Sequence, residues 1–285
     1  MNPTGIRACF FRCLFIGLIT HGVVSCADSI SGTVSNPADP ASASGPVKER
    51  ISLLRDGFEG SSLANFWLPG NYGSGLYVPG AIQLTTNVSR SGSQSVKITV
   101  HEGDVAAAGD AGTTVERDEL DSGHYPLMGR EAWYGFSFLI PKNFPIVDQR
   151  LVISSCKQSD VSRPLTAERY RNGKHTFTIE SQGHKKSYKL PPIPLGHWVD
   201  MVFQSRYATG DDGLAQVWMN GKLVVSYHGP LADPKFKNAF YHKIGLYRDR
   251  MAQPMTIYYD NYTMGNSHAE VDPARFDQNL GAQVR

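Results

Sequence analysis

Four charged residues occupy the five positions Glu116-Arg117-Asp118-Glu119-Leu120, between stretches that are typical of β-strands. Because side chains on a strand alternate between its two faces, we expect Arg117 and Glu119 to share one face and the other three residues to share the opposite one. Burying unpaired charge is costly, so the cluster indicates either a structural ion-pair network or a functional site.

Two further segments carry side chains that could join such a site, residues 150–158 (RLVISSCKQ) and 241–248 (YHKIGLYR). In the second segment, strand alternation places Tyr241, Lys243, Gly245 and Tyr247 on one face. A glycine between a lysine and a tyrosine leaves space on that face, which is typical of a groove. The three segments are therefore the candidate functional strands.

The elements that must position these segments are predicted to be almost entirely β-strands. Runs rich in β-branched and aromatic residues occur at 94–100, 132–140, 150–154, 175–180, 198–206, 215–219, 222–227, 242–247 and 256–264. Many short strands separated by turn residues favour a sandwich or a barrel. The pattern contains no amphipathic helix longer than about three turns.

Turn signals fix two of the connections. Asn220-Gly221 between apolar strands is a strong hairpin signal, and residues 208–213 form a longer turn. Residues 156–174 are polar without a regular period, which predicts a long loop at the rim of a binding cleft.

The first 25 residues resemble an export signal, because Arg7 and Arg12 precede a short apolar run at 14–24. The run ends at Val23-Val24-Ser25-Cys26, which resembles the bacterial lipobox, in which the cysteine is lipidated. We therefore expect a lipoprotein of the periplasm or outer membrane anchored at Cys26, or, after ordinary cleavage, a secreted protein. Residues 26–47 predict a flexible tether, and residues 48–285 a single β-domain.

Charge and cysteine content exclude several functions. Without the export segment the chain has 26 basic and 26 acidic residues, which argues against a nucleic-acid-binding protein. A lipidated Cys26 leaves Cys156 without a disulfide partner, and no Cys/His spacing suits zinc. Between residues 149 and 206 there are ten basic and four acidic residues. This local excess would attract an anionic ligand, or it is a solvated surface with scattered lysines.

Three motifs occur in an order that resembles a known family of enzymes. They are RxEL at 117–120, a strand that ends in polar residues at 150–158, and YxKxGxYR at 241–248. This order is similar to that of the polysaccharide lyases with a concanavalin-A-like jelly roll, which include heparin lyase I, glucuronan lyase and alginate lyases. Similar phrases flank these motifs at 133–137, 140–141, 196–200, 217–221 and 258–261. The resemblance spans residues 53–265. It implies a jelly-roll sandwich of two antiparallel sheets with a concave groove, and a monomer that cleaves an acidic polysaccharide by β-elimination.

The resemblance also implies roles for individual residues. Arg117 would neutralise the uronate carboxylate, and Tyr247 would donate the proton to the leaving oxygen and could also be the base. Glu119 would orient Arg117 through an ion pair on the same face. Lys243 and Arg248 would contribute to substrate binding.

The middle motif departs from the family pattern. Alginate lyases have Gln-x-His where this chain has Ser155-Cys156-Lys157. Lys157 could pair with a carboxylate and Gln158 could hydrogen-bond to it, but the histidine is missing. His124 and His175 are the candidate substitutes, because histidine titrates near neutral pH.

No cofactor is expected for the chemistry, but the resemblance is compatible with a structural calcium ion. Residues 55–59 and 260–261 resemble the paired terminal strands that often hold calcium in such jelly rolls. Glu59 and Asp260 would supply carboxylate oxygens. The same residues are also common in ordinary turns.

Two other functions remain open at the level of the sequence. Glu116-x-Asp118-x-x-Asp121 is close to the ExDxxE pattern of the laminarinase group of glycoside hydrolases, in which two carboxylates flank the scissile bond. A carbohydrate-binding module without catalysis would use aromatic platforms, for which the candidates are Trp67, Tyr72, Tyr77 and Trp133.

Overall fold

The computed structural model describes residues 50–68, 78–104 and 115–280. The predicted export segment, the tether, the lipidation site Cys26 and the aromatic residues Tyr72 and Tyr77 lie outside these residues. Within the described part of the chain, no helix has both the length and the apolar character needed to cross a membrane.

Strands are the main regular structure of the described chain. Their bounds are β1 Leu54–Asp56, β2 Ile82–Thr85, β3 Ser95–Val100, β4 Val115–Asp121, β5 Glu131–Leu139, β6 Leu151–Gln158, β7 Thr166–Arg171, β8 Lys174–Ser181, β9 His184–Lys189, β10 Trp198–Arg206, β11 Leu214–Met219, β12 Lys222–His228, β13 Phe240–Asp249 and β14 Met255–Gly265. The helical elements follow the last strand and are short, namely α1 His268–Val271, a 3₁₀ turn Pro273–Arg275 and α2 Phe276–Leu280.

The strands form two antiparallel sheets. One has the order β12-β11-β10-β5-β14-β3-β2, with β1 paired to β14, and the other has the order β4-β13-β6-β7-β8-β9. Strands that are distant in the sequence lie side by side in both sheets, as in a jelly roll. The predicted all-β sandwich is therefore confirmed.

The core lies between the two sheets and is rich in aromatic side chains. Phe136 of β5 lies 5.6 Å from the ring of His242 on β13. The Tyr259 hydroxyl on β14 bonds to the carbonyl oxygens of Ile153 and Gly245 on the opposite sheet, at 2.5 and 3.1 Å. Complete burial lowers the pKa of His242 to about 3, so this histidine is a neutral core residue.

The predicted turns are confirmed. Asn220 and Gly221 both have positive φ angles, 49° and 74°, and join β11 to β12. This is the backbone conformation that a two-residue hairpin turn requires, and asparagine and glycine tolerate it best. The longer turn at 208–213 lies between β10 and β11.

The loop predicted at 156–174 is wrong. Strand β6 continues to Gln158, and β7 occupies Thr166–Arg171, so the connection is short. Strand β7 then turns at Asn172 and Gly173 into β8. The sequence of β7, TAERYR, alternates polar and apolar residues only weakly, and pairing with β6 and β8 on either side stabilises it as a strand.

The first strand is anchored to the last, as the terminal phrases of the sequence predict. Asp56 pairs with Tyr262 of β14, and its carboxylate accepts hydrogen bonds from the amides of Phe58 and Ala64 and from the Trp67 indole, at 2.7, 3.0 and 2.8 Å. Trp67 is buried against Tyr262. It is a core residue and is therefore excluded as a candidate platform for sugar rings.

Gly245 interrupts the regular pairing of β13. Its φ angle is 139°, and the register of β13 against β6 shifts between Ile244 and Tyr247. A Cβ atom at this position would lie 2.4 Å from the backbone oxygen of Asp118 on the neighbouring strand. The glycine is therefore required by a close approach of two backbones, and not, as the sequence pattern predicted, to leave space for a ligand.

We expect Gly245→Ala to destabilise the fold by about 2 kcal/mol or more, because it combines an unfavourable φ with a backbone collision. Denaturant unfolding measures the change. Gly183→Ala is the matched control, since Gly183 also has a positive φ, 79°, but nothing lies within 4 Å of its Cβ position. Equal losses in the two variants would contradict the collision at Gly245.

Candidate active site

The side of the six-stranded sheet that faces away from the core is called here the outer face. On β4 and β13 the alternate side chains Leu120, Ile244 and Leu246 are fully buried in the core. The intervening positions therefore point to the outer face. On the first three strands of this sheet they are Arg117, Glu119, Asp121, Tyr241, Lys243, Tyr247, Val152, Ser155 and Lys157.

Glu119 lies between two cations on the outer face. Its Oε2 atom is 3.3 Å from Lys243 Nζ and 4.0 Å from Arg117 Nη1. Glu119 and Lys243 are almost completely buried, whereas Arg117 keeps about a fifth of its side chain exposed. One carboxylate thus shares two cations, and the arginine retains access to solvent.

Tyr247 lies between two guanidinium groups. The Cζ atom of Arg117 is 5.1 Å from the centre of its ring, and that of Arg150 is 5.0 Å away. Arg117 is opposite Tyr247 in the register of β4 and β13, whereas Arg150 precedes β6 and also pairs with Asp249 at 2.6 Å. Sequence reasoning gave Arg150 no role, because its approach to Tyr247 depends on the pairing of β6 with β13.

Lys157 is a cation without an ion-pair partner in the described part of the chain. It lies opposite Tyr241 on the outer face and is partly buried. Burial lowers the pKa of its amine, and the charges of Lys243 and Arg117 lower it further, although Glu119 and Asp121 oppose them. A larger share of this lysine is therefore neutral, and able to accept a proton, than for a lysine in water.

His124 lies at the Tyr241 end of the outer face. Its ring stacks on Tyr241 with the ring centres 4.1 Å apart, and its Nδ1 atom is 2.9 Å from the Ser159 hydroxyl. Burial, with the charges of Asp121 and Glu119, raises the pKa of Tyr241 above its ordinary value. Tyr241 and Tyr247 are six positions apart on β13, roughly 20 Å along a regular strand. His124 and Lys157 thus both lie at the Tyr241 end of this face.

Three residues predicted to bind substrate do not reach the outer face. The His175 side chain is completely buried between the sheets, with Nε2 2.7 Å from Glu168. Arg248 is also completely buried, and its Nη2 atom is 2.8 Å from Glu116. Gln158 donates to the backbone oxygens of Asp233 and Lys237 and accepts from the Asp233 amide. These expectations are corrected, because each side chain already has its hydrogen-bond partners inside the fold.

A profile described as polysaccharide lyase matches residues 56–263, which include the strands of the outer face. The chain belongs to the polysaccharide lyase family. No curated protein matches it significantly by sequence.

Solved structures similar to this lyase share its fold at low sequence identity. The endo-β-1,4-glucuronan lyase from the fungus Trichoderma reesei is 18% identical, with a TM-score of 0.58, over 73% of this chain and 98% of that one. The cellulose-induced protein Cip1 is 13% identical, with a TM-score of 0.52, over 75% and 97%. A GH131 β-glucanase catalytic domain from Podospora anserina is 12% identical, with a TM-score of 0.50, over 74% and 87%.

The two carboxylates that a glycoside hydrolase would need are buried in this lyase. Glu116 pairs with Arg248 and is 1% exposed, and Asp118 is completely buried and accepts a hydrogen bond from the Val78 amide. Burial raises the pKa of Asp118 to about 8, so it is mostly protonated at neutral pH. Two carboxylates facing away from the outer face cannot flank a glycosidic bond there.

The remaining aromatic candidate for sugar stacking is on the other sheet. Trp133 of β5 packs against Trp218 and His268, with ring centres 5.5 and 5.9 Å apart. Trp67 is in the core. Within the described residues, the aromatic candidates therefore do not form a sugar platform on the outer face.

The two carboxylates predicted to hold calcium accept hydrogen bonds from backbone amides. The Glu59 carboxylate accepts hydrogen bonds from the amides of Ser93 and Gln94, at 3.0 and 2.9 Å. Asp260 accepts from the amides of Arg90 and Asn261, both at 2.7 Å. Calcium takes six to eight oxygen ligands. Among the described residues, no group of three or more Asp, Glu, His or Cys is arranged to hold a metal ion.

We expect Asp118→Asn to stabilise the lyase more at pH 8 than at pH 5. The folded-state pKa is raised from 3.8 to about 8, so between these values the folded protein keeps a proton that the unfolded chain loses. Stability therefore falls as pH rises through this window, and an amide removes this dependence. Thermal unfolding should show Tm rising by about 5 °C at pH 8.

The control is Asp211→Asn, which removes an exposed carboxylate in the turn before β11. It should leave the pH profile of Tm unchanged. The same profile for Asp118→Asn as for the wild type would contradict a protonated Asp118.

Proposed function

We propose that this polysaccharide lyase cleaves an acidic, uronate-containing polysaccharide by β-elimination. The observation that carries the proposal is the position of Tyr247 between Arg117 and Arg150, on the same face as the further cations Lys157 and Lys243. Such a surface attracts a polyanion and places a phenol where the substrate carboxylate would bind. The TM-score of 0.58 to a glucuronan lyase agrees with this, although it shows the fold alone.

Arg117 is the group that would neutralise the uronate carboxylate. The low acidity of the neighbouring C5 proton is the main obstacle to elimination. Neutralising the carboxylate makes this proton more acidic. The planar guanidinium can bind a carboxylate through two hydrogen bonds. Glu119, 4.0 Å away, holds the arginine on this face without covering it.

Tyr247 would supply the proton to the leaving O4 as the C4–O4 bond breaks and a C4–C5 double bond forms. The guanidinium groups of Arg117 and Arg150 lie 5.1 and 5.0 Å from the centre of its ring and hold the phenol on this face. Lys157 would accept the C5 proton, because it is on the outer face, its amine is close enough to Arg117 and Lys243 for their charges to lower its pKa, and it has no ion-pair partner among the described residues. It thus takes the place of the histidine in the family motif.

The reaction class is tested by incubating the protein with glucuronan, alginate and heparin while recording the ultraviolet absorbance of the unsaturated uronate. We expect absorbance to rise with at least one of them, and Tyr247→Phe to lower kcat at least about a hundredfold. Asp118→Asn and, in its folded fraction, Glu116→Gln should remain active. Saturated reducing ends that disappear with Glu116→Gln would instead establish a hydrolase.

The role of Lys157 is tested by Lys157→Arg. Arginine keeps the positive charge but does not give up its proton in the accessible pH range, so it cannot act as a base. We expect kcat to fall at least about a hundredfold with little change in KM. For the wild type, kcat should fall as pH decreases through the lowered pKa of this amine. An active Lys157→Arg enzyme would assign the base to Tyr247 or His124.

A further inference from the structure

A row of side chains crosses the outer face from the proposed catalytic residues to the far edge of the sheet. The register of the six strands makes each member the direct neighbour of the next. In order, the row is Arg117, Tyr247, Val152, Arg169, Thr176 and Lys189. Beyond Tyr247, the row contains two further cations separated by small or apolar side chains.

Arg169 is held in one orientation on this row. Its Nε atom donates to the Thr178 hydroxyl at 3.1 Å, and that hydroxyl donates to the Ala167 carbonyl at 3.3 Å. The bond at Nε leaves the two Nη groups of the guanidinium for another partner. An arginine fixed in this way loses little conformational freedom when it binds a carboxylate.

Arg169 has no carboxylate within ion-pair distance among the described residues. Burial and the charge of Arg150 lower its pKa, whereas Glu180 and Tyr247 raise it. Glu180 itself is bound to Arg163 at 2.6 Å and to Lys185 at 3.9 Å. A partly buried cation without a counter-ion is costly, so the site is built for an anion that the described protein does not supply.

The other end of the same sheet has a different charge balance. A cavity of about 450 Å³ lies there, lined by Arg163, Glu180 and Lys235 among others. Arg163 is paired there with Glu180, and Asp233 is a further carboxylate of the lining. Arg169, by contrast, has no carboxylate within ion-pair distance among the described residues.

We propose that Arg169, extended by Lys189, is a second carboxylate-binding subsite, which holds a uronate about two sugars away from the scissile bond. The inference rests on the proposed function and adds the path of the substrate, which would cross the strands from Arg117 toward β9. Arg169 lies two strand spacings from Tyr247, about 10 Å, and Lys189 is the same distance further. A single sugar cannot span this row, so the subsite selects chains with more than one uronate.

The test measures binding of glucuronan to the Tyr247→Phe protein, and KM and kcat in the wild-type background. We expect Arg169→Gln to weaken binding of long chains about tenfold and to raise KM with kcat nearly unchanged, since it removes a charge-assisted hydrogen bond. Glucuronic acid, a single sugar, cannot span the distance of about 10 Å from Tyr247 to Arg169 and should bind equally well to both proteins. Arg169→Lys, which keeps the charge without the planar fork, should give an intermediate loss.

Arg163→Gln and Lys185→Gln are the matched controls, because each removes one charge from the same face but starts from an ion pair with Glu180. They should change binding less than twofold. If glucuronan is cleaved but Arg169→Gln changes binding no more than the controls do, the subsite is overturned and the lyase proposal stands. Binding that depends on Arg169 without cleavage would support the subsite and reject glucuronan elimination. Absence of both binding and cleavage would reject both for glucuronan.

Discussion

Strand β13 supplies a cation to one carboxylate on each face of strand β4, and the site depends on this pairing. On the buried side, Glu116 is opposite Arg248 in the register and bonds to it. On the outer face, Glu119 binds Lys243 and lies next to Arg117. Each carboxylate would be expensive to bury alone. Because one pairing satisfies both, the two strands must keep this register, which also places Arg117 opposite Tyr247.

The bulge at Gly245 refines this arrangement. The backbone of β13 approaches that of β4 too closely for any side chain at this position, and the register toward β6 shifts before Tyr247. Tyr247 consequently lies within reach of cations from both neighbouring strands, Arg117 from β4 and Arg150 from the start of β6. The electrostatic setting of the proposed proton donor is therefore a property of backbone geometry as much as of side-chain chemistry.

The sequence predicted well wherever the physical signal is local. Strand alternation placed Arg117 and Glu119 on one face, and the turn preference of Asn220-Gly221 located a hairpin. The sequence predicted poorly where one pattern of residues is compatible with two structures. Strand β7 has the polarity of a loop, and only its pairing with β6 and β8 makes it a strand. With β7 missed, Arg169 could not be recognised on the outer face.

The sequence by itself determined the all-β fold, the family and the central Arg117, Glu119, Lys243 and Tyr247 cluster, because period-two alternation and short motifs are properties of neighbouring residues. Only the tertiary structure decided which similar side chains are available to a substrate. His175 and Arg248 are enclosed with internal partners, whereas Lys157 and Arg169 face outward without described counter-ions. The physical reason is that burial and ion pairing depend on strands far apart in the chain, whose register no local pattern specifies.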